Sequence, residues 1–108
     1  MDSRILQLAD QLLLIERELF VLGWWTSEAP PAEALSSREP FCVDTLPFEQ
    51  WLQWIFLPRM KQIIEQGEAL PAVSGIKQMG EMVFVDQGQE AKRLLELLGA
   101  FDRLISGS

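Results

Sequence analysis

The chain of 108 residues predicts an all-α fold, a small four-helix bundle with a proline-kinked central helix. Three observations carry that expectation. Within residues 41–60, FCVDTLPFEQWLQWIFLPRM, the run from Phe48 to Leu57 is apolar nearly all round, with Glu49, Gln50 and Gln53 as the polar breaks. A helix with no polar face belongs in the middle of a protein. The flanking segments carry apolar residues at the three-and-four spacing of amphipathic helices. The run with strand character, Met82 to Val85, finds no partner strand elsewhere in the sequence.

The first helix is expected over 3–24, capped by Asp2 or Ser3. Ile5, Leu8, Leu12, Ile15, Leu19 and Leu22 form one row, and Leu6, Leu13 and Phe20 a second beside it. Two adjacent rows predict a wide face touching more than one neighbour. The heptads are too few for a sustained coiled coil, so packing within the chain is expected ahead of a homodimer. Gly23 weakens the helix end. Trp24 and Trp25 follow and cannot both face inward, so one is expected to be exposed or under the next loop. Residues 26–40 hold Pro30, Pro31 and Pro40 and predict a long connecting loop across the outside, anchored by Leu35.

The central helix is expected over 46–66, with Thr45 as N-cap and Pro47 in the first turn. Pro58 lies in its interior, where a proline costs about 3 kcal/mol or more. It predicts a break in hydrogen bonding over 54–58, as a kink or as two helices meeting near 57. Gly67 closes this helix as a left-handed cap. A shorter helix follows over 75–85, capped by Ser74. Ile76, Met79 and Val83 share one of its faces, and Gly80 permits close approach. Asp86 and Gln89 read as a capping box for a last helix over 87–105, which carries Ala91, Leu94, Leu95, Leu98, Phe101 and Ile105 on its apolar face. The whole reads as a single helical domain over 1–108.

Composition excludes several chemistries. The net charge is −7, from 16 acidic and 9 basic residues, and the basic residues are scattered. Phosphate backbones need clustered Lys and Arg, so direct nucleic-acid binding is not expected. The chain has no histidine, no tyrosine and one cysteine. That removes the commonest general base, the commonest metal ligand and every Ser-His or Cys-His nucleophile. No cofactor, no metal and no enzymatic activity are expected. No apolar run approaches the roughly 20 residues of a membrane span, and Met-Asp-Ser-Arg does not open like a signal peptide. A cytoplasmic protein is expected.

Five residues stand out as a candidate ligand or partner surface: Trp25, Asp44, Trp51, Trp54 and Arg59. Trp51 and Trp54, with Phe48, are either core or an aromatic wall for a small ligand; burial of Trp51, Leu52, Trp54 and Ile55 is the expectation. Trp25 is a candidate partner anchor. Asp44 beside the helix start is placed to accept from backbone amides. Cys42 reads as a plain buried cysteine. Arg59 continues the spacing of Phe48, Leu52 and Ile55 to the edge of the core. It is expected to pair with Glu81 or Asp102 as a pin between helices, the alternative being a pocket arginine that holds an anion.

These same residues carry a resemblance. Trp25, Pro40-Phe41, Asp44-Thr45-Leu46, Trp51-Leu52-Gln53-Trp54, Leu57-Pro58-Arg59-Met60, Leu70-Pro71 and Glu81-Met82 resemble, in order, the pattern of the YqcC-like family of small bacterial proteins. The resemblance implies a cytoplasmic all-helical bundle without established catalytic residues. It also implies association with a tRNA pseudouridine synthase, as an accessory or partner in tRNA modification. The alternative is a small-molecule-binding helical bundle with a tryptophan-lined pocket.

Overall fold

The structure is a computed structural model that describes residues 4–70 and 75–106. The expected caps Asp2, Ser3 and Ser74 lie outside the described residues. Those residues form helices and no strand. In order, the elements are α1 (Ile5–Leu22), the single turn α2 (Ala32–Leu35), α3 (Phe48–Trp51), a π-turn (Leu52–Phe56), α4 (Leu57–Gln66), α5 (Ile76–Val83) and α6 (Lys92–Ser106). α1 packs on α6 and α4, and α5 packs on α6.

In α1, Leu8, Leu12, Ile15 and Leu19 are buried, as their spacing predicts. The second row is not: Leu6, Leu13 and Phe20 are 78%, 57% and 56% exposed. The expected wide buried face is therefore corrected to a narrow one. α1 meets its neighbours on one side, and the same side draws in Gln11 and Glu18. Each of these is paired, as burial requires: Gln11 Nε2 donates to the Leu97 carbonyl at 2.9 Å, and Glu18 Oε1 lies 3.5 Å from Arg93 Nε. Gly23 does more than weaken the helix. At φ 77° it ends it, with Trp24 N donating to Leu19 O and Gly23 N to Phe20 O, the paired bonds of a Schellman turn. At the other end Arg4 donates to the carbonyls of Leu104 and Ile105 at 2.9 and 2.8 Å. It thereby satisfies the C-terminal carbonyls of α6 and ties the start of α1 to the end of the chain's last helix.

The central segment runs helically from Phe48 to Gln66, but its hydrogen bonding shifts register before the proline. Leu57 N donates to Leu52 O, five residues back. Pro58, which has no N–H to give, follows at once in the first turn of α4. The π-turn thus spans 52–56, slightly earlier than the expected 54–58. Thr45 is not the N-cap. Pro47 holds that position without a side-chain bond, and the Thr45 hydroxyl donates instead to Ala34 O at 2.7 Å. Gly67, at φ 66°, closes α4 in the left-handed conformation as expected.

α5 is shorter than expected, and so is α6. The N–H groups of Ile76 and Lys77 at the start of α5 both donate to the Asp102 carboxylate, at 3.1 and 2.9 Å. A side chain of α6 thus satisfies two of the N–H groups at the start of α5. Residues 84–90 form consecutive turns. Gly88 sits at φ 48°, which breaks the helical path, so Asp86 and Gln89 do not open α6. Its helix begins at Lys92. Phe84, just after α5, is the buried residue of that region, while Val83 is exposed. Gly80 is pressed against α6: a Cβ there would lie 2.8 Å from Leu95 Cδ2.

Candidate functional site

The helical segment 48–66 separates two clefts, and its π-turn decides which side chains enter each. In an α-helix, residues three apart share a face. The π-turn closes wider rings and turns less per residue. Trp51 and Trp54 therefore do not form one aromatic wall; they line different clefts. Both are half-buried, as is Ile55, and only Leu52 of the four expected core residues is fully buried. The residue turned inward instead is Gln53.

The first cleft, of about 440 Å³, lies between residues 35–42 and the outer side of the π-turn and α4. Its apolar lining includes Phe41, Trp51, Phe56 and Phe101. The rings form a continuous set: Phe41 meets Trp51 edge-on at 5.0 Å, Trp51 stacks on Phe56 at 5.6 Å, and Phe56 meets Phe101 edge-on at 5.0 Å. Phe41 is held in place by an unusual backbone. Phe41 and Cys42 have φ of 58° and 51°, a left-handed conformation that side-chain-bearing residues rarely adopt. The turn is stabilised by Cys42 N donating to Glu39 O and by Leu46 N donating to Cys42 O. Cys42 itself is buried.

Ser37, Glu39 and Arg59 supply the polar part of this cleft. Arg59 is exposed, and among the described residues it forms no ion pair or hydrogen bond. Its expected pairing with Glu81 or Asp102 is therefore corrected. Glu81 is exposed on α5, and Asp102 is occupied at the α5 N-terminus. Asp44 lines neither cleft. It accepts from the Ser37 hydroxyl rather than from backbone amides.

The second cleft, of about 400 Å³, is lined by Glu16, Trp25, Thr26, Ser27, Gln53, Trp54, Leu57, Pro58 and Lys61. The Gln53 amide fastens the loop here: it accepts from Thr26 N at 2.9 Å and donates to Thr26 O at 2.6 Å. The Trp54 indole N–H donates to Thr26 Oγ1 at 3.0 Å, and Lys61 pairs with Glu16 at 3.0 Å. Leu35 is thus not the loop's one anchor. Trp24 and Trp25 are both half-buried rather than one in and one out: Trp24 packs on Phe84 and Trp25 stacks on Phe20 at 4.5 Å. Gln53 was legible in principle. A glutamine surrounded by apolar neighbours on an all-apolar helix has to find a partner inside.

Among the described residues no three His, Cys, Asp or Glu side chains gather closely enough to hold a metal ion. None of the helices is long and apolar enough to cross a membrane.

The backbone as a whole superposes on the solution NMR structure of YqcC from Escherichia coli with a TM-score of 0.86 at 25% identity, over 97% of this chain and 90% of that one. The Escherichia coli YqcC sequence is 32% identical over 88 residues, 81% of each chain. The chain belongs to the YqcC-like family. The matching family model, described as "DUF446: tRNA pseudouridine synthase C", covers residues 7–104. A family member from Haemophilus influenzae, named an uncharacterized protein, is 39% identical over 87 residues, 81% of each chain. A Pectobacterium carotovorum protein named tRNA pseudouridine synthase C is 45% identical over 69 residues, which make up 64% of this chain and 18% of that protein.

Proposed function

We propose that this YqcC-like chain is a non-catalytic accessory protein of the cytoplasm that binds a tRNA pseudouridine synthase. One observation carries the reading. In the Pectobacterium protein, a segment like this chain is 18% of a polypeptide that bears the synthase's name. Joining two units in one chain replaces a bimolecular encounter with a local one of high effective concentration, which benefits units that work together. The rest of the molecule agrees. With no histidine, no tyrosine and a net charge of −7, the chain has a thin acid–base inventory and a surface that repels RNA, so contact is with the synthase protein. The scaffold is all-helical, and Trp25 and Trp54, which line the second cleft, are the aromatic side chains offered as anchors. The test is co-elution with the purified synthase of the same organism, followed by a pseudouridylation assay on tRNA. A complex and a faster modification are expected. Separate elution with an unchanged rate overturns the reading.

The first cleft supports a second function, binding of a small amphipathic anion. Its volume of about 440 Å³ suits a small ligand, its aromatic lining suits an apolar body, and Arg59 stands free to take a carboxylate or phosphate. Titration with a medium-chain fatty acid, read by tryptophan fluorescence, is expected to saturate in the native chain and not in Arg59→Met. No saturable change in the native chain overturns it.

A further inference from the structure

The outer face of α1 exposes two apolar rows with opposite charges between them, and at one end Phe20 also stacks on Trp25. Leu6, Leu13 and Phe20 form one exposed row seven residues apart, and Leu14 and Val21 lie on a second, begun by Gln7. Between the two rows run Asp10 and Arg17, also exposed. Rows of this spacing stay nearly straight along a helix, drifting about 20° per heptad, which a shallow crossing of two helices absorbs. An apolar strip of this kind on an exposed helix marks an interaction surface.

The order of the charges selects the occupant. We propose that this face pairs two copies of the chain, antiparallel, about a two-fold axis that passes between Leu13 and Leu14. In such a pair each row meets the same row of the other copy, reversed. Leu6 then faces Phe20, Leu13 faces Leu13 and Leu14 faces Leu14, so apolar meets apolar along almost the whole strip. Asp10 of each copy faces Arg17 of the other, giving two opposite-charge contacts at the centre. A parallel pair would set Asp10 against Asp10 and Arg17 against Arg17. An isologous contact has to be self-complementary under its own two-fold, and only the antiparallel arrangement satisfies the charges. The antiparallel pair also sets the two helix dipoles head to tail. This inference does not rest on the synthase reading: it uses no relative's name, and it meets the second cleft only where Phe20 stacks on Trp25.

Two experiments on the full chain test it. Sedimentation velocity over a concentration series is expected to show a monomer–dimer equilibrium. Asp10→Arg and Arg17→Asp should each raise its dissociation constant about tenfold, since each turns two attractive contacts into two repulsive ones. The double variant should restore dimerisation, a rescue that loss of folding cannot mimic. Disulfide trapping then fixes the direction. Leu13→Cys should cross-link to itself. Leu6→Cys should not, because the two copies of residue 6 lie about 20 Å apart, but it should cross-link to Phe20→Cys when the two variants are mixed. A chain monomeric at every concentration, or Leu6→Cys cross-linking to itself as a parallel pair requires, overturns the proposal. So does a monomeric chain whose Leu13→Glu variant loses binding to the synthase, since the strip would then belong to that partner.

Discussion

At the scale of single residues, the structure turns on a few polar side chains that serve two elements each. Gln53 is the clearest. Its carbonyl takes the Thr26 N–H and its amino group gives to the Thr26 carbonyl, so the orientation of the amide is dictated by its partners. The same residue shapes the second cleft, because Thr26 in turn accepts the Trp54 indole N–H. Removing the amide leaves both backbone groups of Thr26 unpaired in a part-buried place. Gln53→Met keeps the volume and deletes only the hydrogen bonds. It is expected to cost about 1–3 kcal/mol, measured by urea unfolding, with Trp54 moving toward solvent in its emission maximum. A variant as stable as the native chain would mean that water replaces the amide without loss. Arg59 is the counter-example, a basic residue that no acidic group holds among the described residues. Spacing extended from the core face predicted its height on the helix but not its freedom. The engagement of Asp102 by the start of α5 is likewise something no local pattern contains.

At the scale of elements, the helices and their burial stripes were largely legible, and the boundaries were not. The Leu8–Leu12–Ile15–Leu19 and Leu94–Leu98–Phe101–Ile105 rows are buried as read, because helical period is a local property. The ends depend on distant groups. The first N–H groups of α5 are met by Asp102 from α6, and Asp86 loses its capping role to a left-handed Gly88. The separation of Trp51 from Trp54 hid for a similar reason: a proline announces a missing hydrogen bond but not whether the helix bends or widens into a π-turn. The α5–α6 contact gives an element-scale prediction from two glycines. At Gly80 an added Cβ meets Leu95 Cδ2 at 2.8 Å and Leu98 Cδ1 at 3.3 Å, and Leu98 is fully buried. Overpacking of about 1–3 kcal/mol outweighs the roughly 1 kcal/mol gained in helix propensity, so Gly80→Ala lowers stability. At Gly99 the nearest atom is Lys77 Cδ at 2.8 Å, on a flexible side chain that swings aside. Gly99→Ala is therefore expected to be neutral or to stabilise by up to about 1 kcal/mol. Thermal melts of the two variants moving in the same direction would show that close approach is not what keeps glycine at position 80.

At the scale of the whole molecule, charge limits what the chain touches. Of its 9 basic residues, Arg4 caps α6, Lys61 pairs with Glu16 and Arg93 faces Glu18. The remainder are spread across the loop, α1, α4, α5 and α6 without a stripe. A protein that binds tRNA directly neutralises several phosphates and releases their counterions, so its affinity falls steeply with salt. Among the described residues the cations are not gathered into such a surface. Alone, it is expected to leave tRNA unshifted in a native gel even at about 100 μM and low salt, where ordinary non-specific binders already associate. The stronger form of the prediction concerns the complex with the synthase. If the chain acts only by touching the enzyme, it changes the affinity for tRNA by the same factor at every salt concentration. The plot of log affinity against log salt then shifts without changing slope, because slope counts phosphate contacts and the chain adds none. Titrations of labelled tRNA with the synthase, with and without the chain, over a range of potassium chloride read that slope directly. A slope steepened by the chain would mean that it lays its own cations on the phosphates, and contact through protein alone would be the wrong account of how it helps.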